Sequence, residues 1–134
     1  MQMERMGFMS KKFYYCEICK KLVQEQNNAK GHLACCGKPM VELYANSTDA
    51  SQEKHVPQVT VQGDKVSVCV GSVPHPMTEE HLIQWVYLKT QQGGQFHYFS
   101  HTEEPKAEFI VAPKDKAVAV YEYCNLHGLW VKEL

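Results

Sequence analysis

The stretch Val59-Thr60-Val61-Gln62-Gly63-Asp64-Lys65-Val66-Ser67-Val68-Cys69-Val70 decides the fold class. Apolar residues recur every second position on both sides of Gln62-Gly63-Asp64-Lys65, the period at which a strand turns one face to a core. A Gly-Asp turn between two such runs predicts a hairpin. Downstream, Leu82 to Leu88 is rich in β-branched and aromatic residues and stops near Gly93-Gly94. Gln95 to Ser100, Glu108 to Ala112 and Ala117 to Tyr123 predict further strands, the last two split by Pro113-Lys114-Asp115. No stretch carries the spacing of an amphipathic helix; Thr78-Glu79-Glu80 opens at most one helical turn. Short strands with turn signals between them predict an antiparallel β-sandwich.

Upstream the composition changes. Lys12 to Met40 is dense in Cys, Lys, Gly and polar residues, with few large apolar side chains, so it needs a staple such as a metal. Tyr44 to Glu53, Tyr-Ala-Asn-Ser-Thr-Asp-Ala-Ser-Gln-Glu, reads as a polar linker. The reading is therefore a leader over 1–10, expected to be disordered, a metal-stapled ribbon over 11–43, a linker over 44–53 and a β-sandwich over 54–134. The leader has no continuous apolar stretch and no small-residue cleavage site, which predicts a cytoplasmic protein. No apolar run approaches the roughly 20 residues that cross a bilayer. A formal net charge of -1 predicts no nucleic-acid or anionic-membrane partner.

Six Cys and seven His in 134 residues are the unusual feature. Cys16-Glu17-Ile18-Cys19 is a C-x-x-C knuckle, and Cys35-Cys36-Gly37 follows it. Vicinal cysteines seldom bridge each other without strain, so metal thiolates are favoured over disulfides. Four thiolates suit a tetrahedral soft-metal site, and four sulfurs alone leave iron and zinc both open. Gly31 and Gly37 are expected to permit the turns. The adjacent pair is expected to distort the tetrahedron, because its side chains leave neighbouring backbone positions. His32 is surplus to four-coordination and is expected at the surface.

A second set lies in the β part: His55, His75, His81, Cys124 and His127, at intervals of 20, 6, 43 and 3. Each falls at a strand end or in a loop. Pro74 and Pro76 fix the backbone on both sides of His75. Imidazoles suit iron, copper, zinc or nickel, and a thiolate adds electron density to a redox metal. Five ligands on a six-coordinate ion leave one position open, which implies chemistry. His97 and His101 share a strand face without forming a third site, Cys69 is expected to be a buried apolar residue, and Trp85 and Trp130 are expected to pack the sandwich.

These motifs resemble the desulfoferrodoxin, or two-iron superoxide reductase, family. Cys16-x-x-Cys19 with Cys35-Cys36 resembles its iron–tetracysteine centre. Glu53-Lys54-His55-Val56-Pro57, Ser72-Val73-Pro74-His75-Pro76-Met77, Glu80-His81 and Tyr123-Cys124-Asn125-Leu126-His127-Gly128 resemble its catalytic centre. The likeness runs from about Lys12 to the C-terminus. It implies two iron ions and no organic cofactor, an immunoglobulin-like sandwich, and a homodimer. It also implies equatorial His55, His75, His81 and His127 with axial Cys124, and superoxide as substrate, reduced by one electron to hydrogen peroxide. Lys54 would attract the anion at the open face, and Glu53 would occupy that position in the resting ferric state. The electron would come from a rubredoxin-type donor, with the tetracysteine iron either a relay or a structural element. Electron transfer without a substrate, a structural zinc module and superoxide dismutation are the rival readings.

Overall fold

The structure, a computed structural model, describes residues 12–134. The expected leader over 1–10 lies outside the described residues. The chain forms two compact units that divide between Tyr44 and Ala45.

The first unit contains β1 (Phe13–Tyr15), β2 (Leu22–Gln24), β3 (Ala34–Cys35), β4 (Lys38–Pro39) and β5 (Val41–Leu43). β1 is the centre of a three-stranded antiparallel sheet in the order β2-β1-β5, and β3 and β4 form a separate hairpin. Cys35 pairs with Lys38, so Cys36 and Gly37 are the two turn residues. Both have positive φ, +53° and +76°, the requirement of a type I′ hairpin turn. Among the described residues of this unit, only Phe13 and Cys16 are buried apolar residues.

The second unit is an antiparallel sandwich with one short helix, α1 (Gln52–His55). Its strands are β6 (Pro57–Gln62), β7 (Lys65–Val70), β8 (Ile83–Thr90), β9 (Gly94–Tyr98), β10 (Lys106–Ile110), β11 (Ala117–Cys124) and β12 (Gly128–Glu133). They form a three-stranded sheet, β10-β7-β6, and a four-stranded sheet, β12-β11-β8-β9. Three strands facing four is the constant-type immunoglobulin-like count. The predicted hairpin pairs Val61 with Val66 around the Gly63 turn. Val66, Val68 and Val70 from one sheet meet Val86, Leu88 and Val120 from the other, joined by Phe109 and Val111.

Three sequence expectations change. The single helical turn lies at Gln52–His55, whereas Thr78–Glu80 is a bend closed by the Thr78 side chain rather than by helical hydrogen bonds. Cys69 is half-buried, because it alternates with the core valines and so points away from them. Gly128–Glu133 forms a strand the sequence reading did not assign. Within 44–53, Asn46 docks on β12 as a ladder partner would: its Nδ2 donates to the Val131 carbonyl, and its Oδ1 accepts from the Val131 N–H at 2.9 Å.

Two candidate metal centres

Strand ends and turns bring the four N-terminal cysteines together. In the knuckle after β1, the Lys20 N–H donates to the Cys16 carbonyl at 2.8 Å, and the Cys19 N–H points at the Cys16 sulfur at 3.4 Å. The Cys36-Gly37 turn presents the other pair. The sulfur separations are 3.6 Å for Cys19–Cys35 and 3.8 Å for Cys35–Cys36. All four sulfurs lie within 4.8 Å of one another, and Cys36, with its left-handed backbone, keeps its sulfur beside that of Cys35. Gly37 supplies the predicted positive φ, while Gly31 adopts none. A regular tetrahedron with such edges has its centre about 2.3 Å from each corner, the length of a metal–thiolate bond.

The electrostatics of this cluster also call for a cation. Backbone N–H groups, that of Cys19 foremost, lower Cys16 to about 6. The neighbouring thiols, Cys19 first, push Cys35 up to about 12 and raise Cys36. Four crowded sulfurs ionise together only around a positive charge. His32 is exposed, as expected.

The second cluster gathers at one end of the sandwich from three connections. His55 ends α1; His75 and His81 lie between β7 and β8; Cys124 and His127 bound the β11–β12 turn. His55, His75, Cys124 and His127 offer ligand atoms within 4.8 Å of one another. His81 completes a ring: centroid separations are 4.7 Å for His55–His75, 4.8 Å for His75–His81, 5.0 Å for His81–His127 and 4.9 Å for His127–His55. Neighbouring rings meet edge to face, at 68–80°. The centre of a square with those sides lies about 3.4 Å from each centroid, close to what a metal–imidazole bond of about 2.1 Å gives. The Cys124 sulfur, fully buried in the core, lies 3.6 Å from His75 Nε2 and 3.8 Å from His127 Nδ1.

Protonation suits a cation here as well. Burial first, then the charges of the other imidazoles and Lys54, lowers His55 to about 4. His75 falls to about 4 through burial, although its hydrogen bond to Pro76 works the other way. Both are neutral at pH 7. The Pro76 carbonyl can only accept, so His75 Nδ1, 2.6 Å away, carries the proton and Nε2 keeps its lone pair. His81 Nε2 is buried without a hydrogen-bond partner, an orphan that a metal would satisfy. Burial raises the Cys124 thiol, opposed by the backbone N–H groups of Leu126 and His127. A bound cation reverses that balance.

The structure also assigns work to residues the sequence reading passed over. Asn125 Oδ1 accepts from the Leu82 N–H at 3.0 Å and its Nδ2 donates to the Glu80 carbonyl at 2.8 Å, tying the His81 loop to the Cys124–Gly128 turn. Thr78 Oγ1 accepts from the His81 N–H at 3.0 Å. Glu122, fully buried, faces His55. Its signal was present in the sequence: Val120, Glu122 and Cys124 share one strand face, so Cys124 pointing inward puts a carboxyl inside too. Lys54 and Glu53 are exposed on α1, and the Lys54 charge acts on His55, His75 and His81. His101 approaches Glu79 at 3.8 Å, and His97 packs on Phe99. Neither joins a metal-binding group among the described residues.

A small ribbon with a four-sulfur centre, followed by a sandwich with an imidazole–thiolate centre, defines a non-haem metalloprotein with two distinct sites. The desulfoferrodoxin family model matches residues 47–133, and the model of the desulfoferrodoxin N-terminal domain matches residues 10–43. The chain belongs to the desulfoferrodoxin family, and its two clusters correspond to that family's two iron sites. It is 44% identical to a desulfoferrodoxin of Syntrophotalea carbinolica, over 90% of this chain and 94% of that one. It is 39% identical to a superoxide reductase of Pyrococcus horikoshii, over 71% of this chain and 97% of that one. The crystal structure of the superoxide reductase from Treponema pallidum matches with a TM-score of 0.77 and 36% identity, covering 92% of this chain and 99% of that one.

Proposed function

We propose that this chain is a superoxide reductase, converting superoxide to hydrogen peroxide with one electron and two protons per turnover. The observation that carries the reading is the ring of four imidazoles with the core-buried Cys124 sulfur against it and Lys54 within electrostatic reach. His55, His75, His81, His127 and Cys124 would hold the catalytic iron, and Cys16, Cys19, Cys35 and Cys36 would hold the other. Iron held there would supply one-electron redox chemistry toward superoxide.

The chain's own residues do the rest. Neutral imidazoles offer lone pairs without first shedding protons. The Leu126 and His127 N–H groups favour the thiolate form of Cys124 and so temper its donation to the metal. Lys54 raises the local concentration of the superoxide anion and stabilises negative charge as peroxide forms. Glu53, its neighbour on α1, would offer a carboxylate to the oxidised iron. A rubredoxin-type protein provides the electrons, the protein works in the cytoplasm, and two copies form a homodimer. No described helix is long and apolar enough to cross a membrane.

Metal analysis with visible spectra during stepwise reduction tests the centres: two iron chromophores with different midpoints are expected. Pulsed superoxide then tests the reaction. Peroxide formed at the cost of donor electrons supports it. Dioxygen evolution without a donor identifies a dismutase, and a colourless zinc protein ends the proposal.

A further inference from the structure

His55 has two buried neighbours that no other part of the site accounts for. Trp130 on β12 and Glu122 on β11 stand directly opposite each other in the strand register. Their exposures are 1% and 0%, and that of His55 is 2%. The Trp130 indole stacks on the His55 imidazole at 4.9 Å with an interplanar angle of 11°. Its Nε1–H also donates to the His127 carbonyl at 3.1 Å. One side chain therefore touches two adjacent members of the ring. Glu122 takes the edge of His55, with Oε1 3.8 Å from Nδ1. Both Glu122 oxygens and His55 Nδ1 are buried without another hydrogen-bond partner.

A carboxyl inside an apolar core costs several kcal/mol unless something uses it. Here the group it faces is an imidazole edge. At 3.8 Å the contact is too long for a hydrogen bond, and a shift of ~1 Å makes it one. With Nδ1–H turned toward Glu122, Nε2 presents its lone pair to the other three imidazoles. The stacked indole fixes the ring plane; the carboxyl fixes which nitrogen holds the proton. Outer contacts of this kind orient metal-ligating histidines in general.

We propose that Trp130 and Glu122 are positioning residues: the indole sets the plane of His55 and the His127 backbone, and the carboxyl sets the tautomer of His55. This rests on the reading of His55 as an iron ligand.

The test uses the full-length iron-loaded protein, with chelator competition for catalytic-site iron and the EPR spectrum of the oxidised site as readouts. Trp130→Leu is expected to weaken iron retention 10- to 100-fold, the usual cost of losing such a contact, and to shift the EPR signal. Trp130→Phe keeps a stacking ring and is expected to restore the signal. Glu122→Leu separates positioning from packing, because the two effects have opposite sign. Replacing a carboxyl that is buried without a hydrogen-bond partner by an apolar side chain of similar size is expected to raise the thermal stability of the iron-free protein. The same change is expected to lower iron affinity at least 10-fold. It also decides the matter if Trp130→Leu fails to fold. Wild-type affinity and EPR signal in Glu122→Leu, or in a folded Trp130→Leu, overturn the proposal. Wild-type protein with no iron signal from the histidine site overturns the reading beneath it as well.

Discussion

Gly71→Ala should do more damage than its single methyl group suggests. Gly71 has φ +75°, and a Cβ there would lie 2.6 Å from the Glu53 carbonyl oxygen and 2.7 Å from the Lys54 carbonyl carbon and oxygen. These are backbone atoms of α1, so no side-chain rotation relieves the clash. The left-handed backbone alone costs alanine about 1–2 kcal/mol. Relief requires α1 and the 71–73 segment to separate. That stretches the bonds by which Ser72 and Val73 N–H groups donate to the Glu53 carbonyl at 2.7 and 3.1 Å, and the Gly71 bond to Val56 at 3.2 Å. Weakening two of them adds about 1–3 kcal/mol, for a total of about 2–5 kcal/mol. The iron-free chain reports this in denaturant, since both tryptophans, Trp85 and Trp130, belong to the second unit and give the fluorescence signal. Because α1 carries Glu53, Lys54 and His55, catalytic-site iron retention should fall in parallel. A loss below ~1 kcal/mol with wild-type iron content would refute the idea that glycine is required for close approach here.

Three further outcomes follow from the same geometry. Asn125→Ala removes both ties to the His81 loop, so stability should drop by about 1–3 kcal/mol in the denaturant assay and chelators should strip the histidine site faster. Lys54→Ala should slow the second-order reaction with pulsed superoxide and flatten its dependence on ionic strength while iron content stays intact; an unchanged rate excludes steering. Cys124→Ser should abolish the thiolate-to-iron absorption of the catalytic site and leave the tetracysteine spectrum in place, which a visible spectrum shows directly.

The valine alternation around Gly63 was legible because each strand has one buried face, so composition mirrors geometry. The site residues were legible because His and Cys in those local motifs resemble one family. What stayed hidden depends on partners distant in sequence. Whether Thr78 starts a helix or closes a bend depends on where its hydroxyl and N–H meet His81, which residue spacing does not reveal. Trp130 reads as ordinary packing until β11 and β12 are in register and His55 lands on its face. The turn that holds the adjacent cysteine sulfurs side by side has a positive φ at a non-glycine residue, Cys36, which composition does not announce.

The hairpin and sheet around the four N-terminal sulfurs have almost no oily interior, with Phe13 and Cys16 alone buried among their apolar side chains. A chain this short holds its shape through the ion it grips, so ribbon and metal come and go as one event. Chelation or oxidation of those thiols is therefore expected to release an open, protease-sensitive strand of polypeptide, which limited proteolysis reads directly. The sandwich, whose core is mainly valine, leucine, isoleucine and phenylalanine, is expected to stay folded.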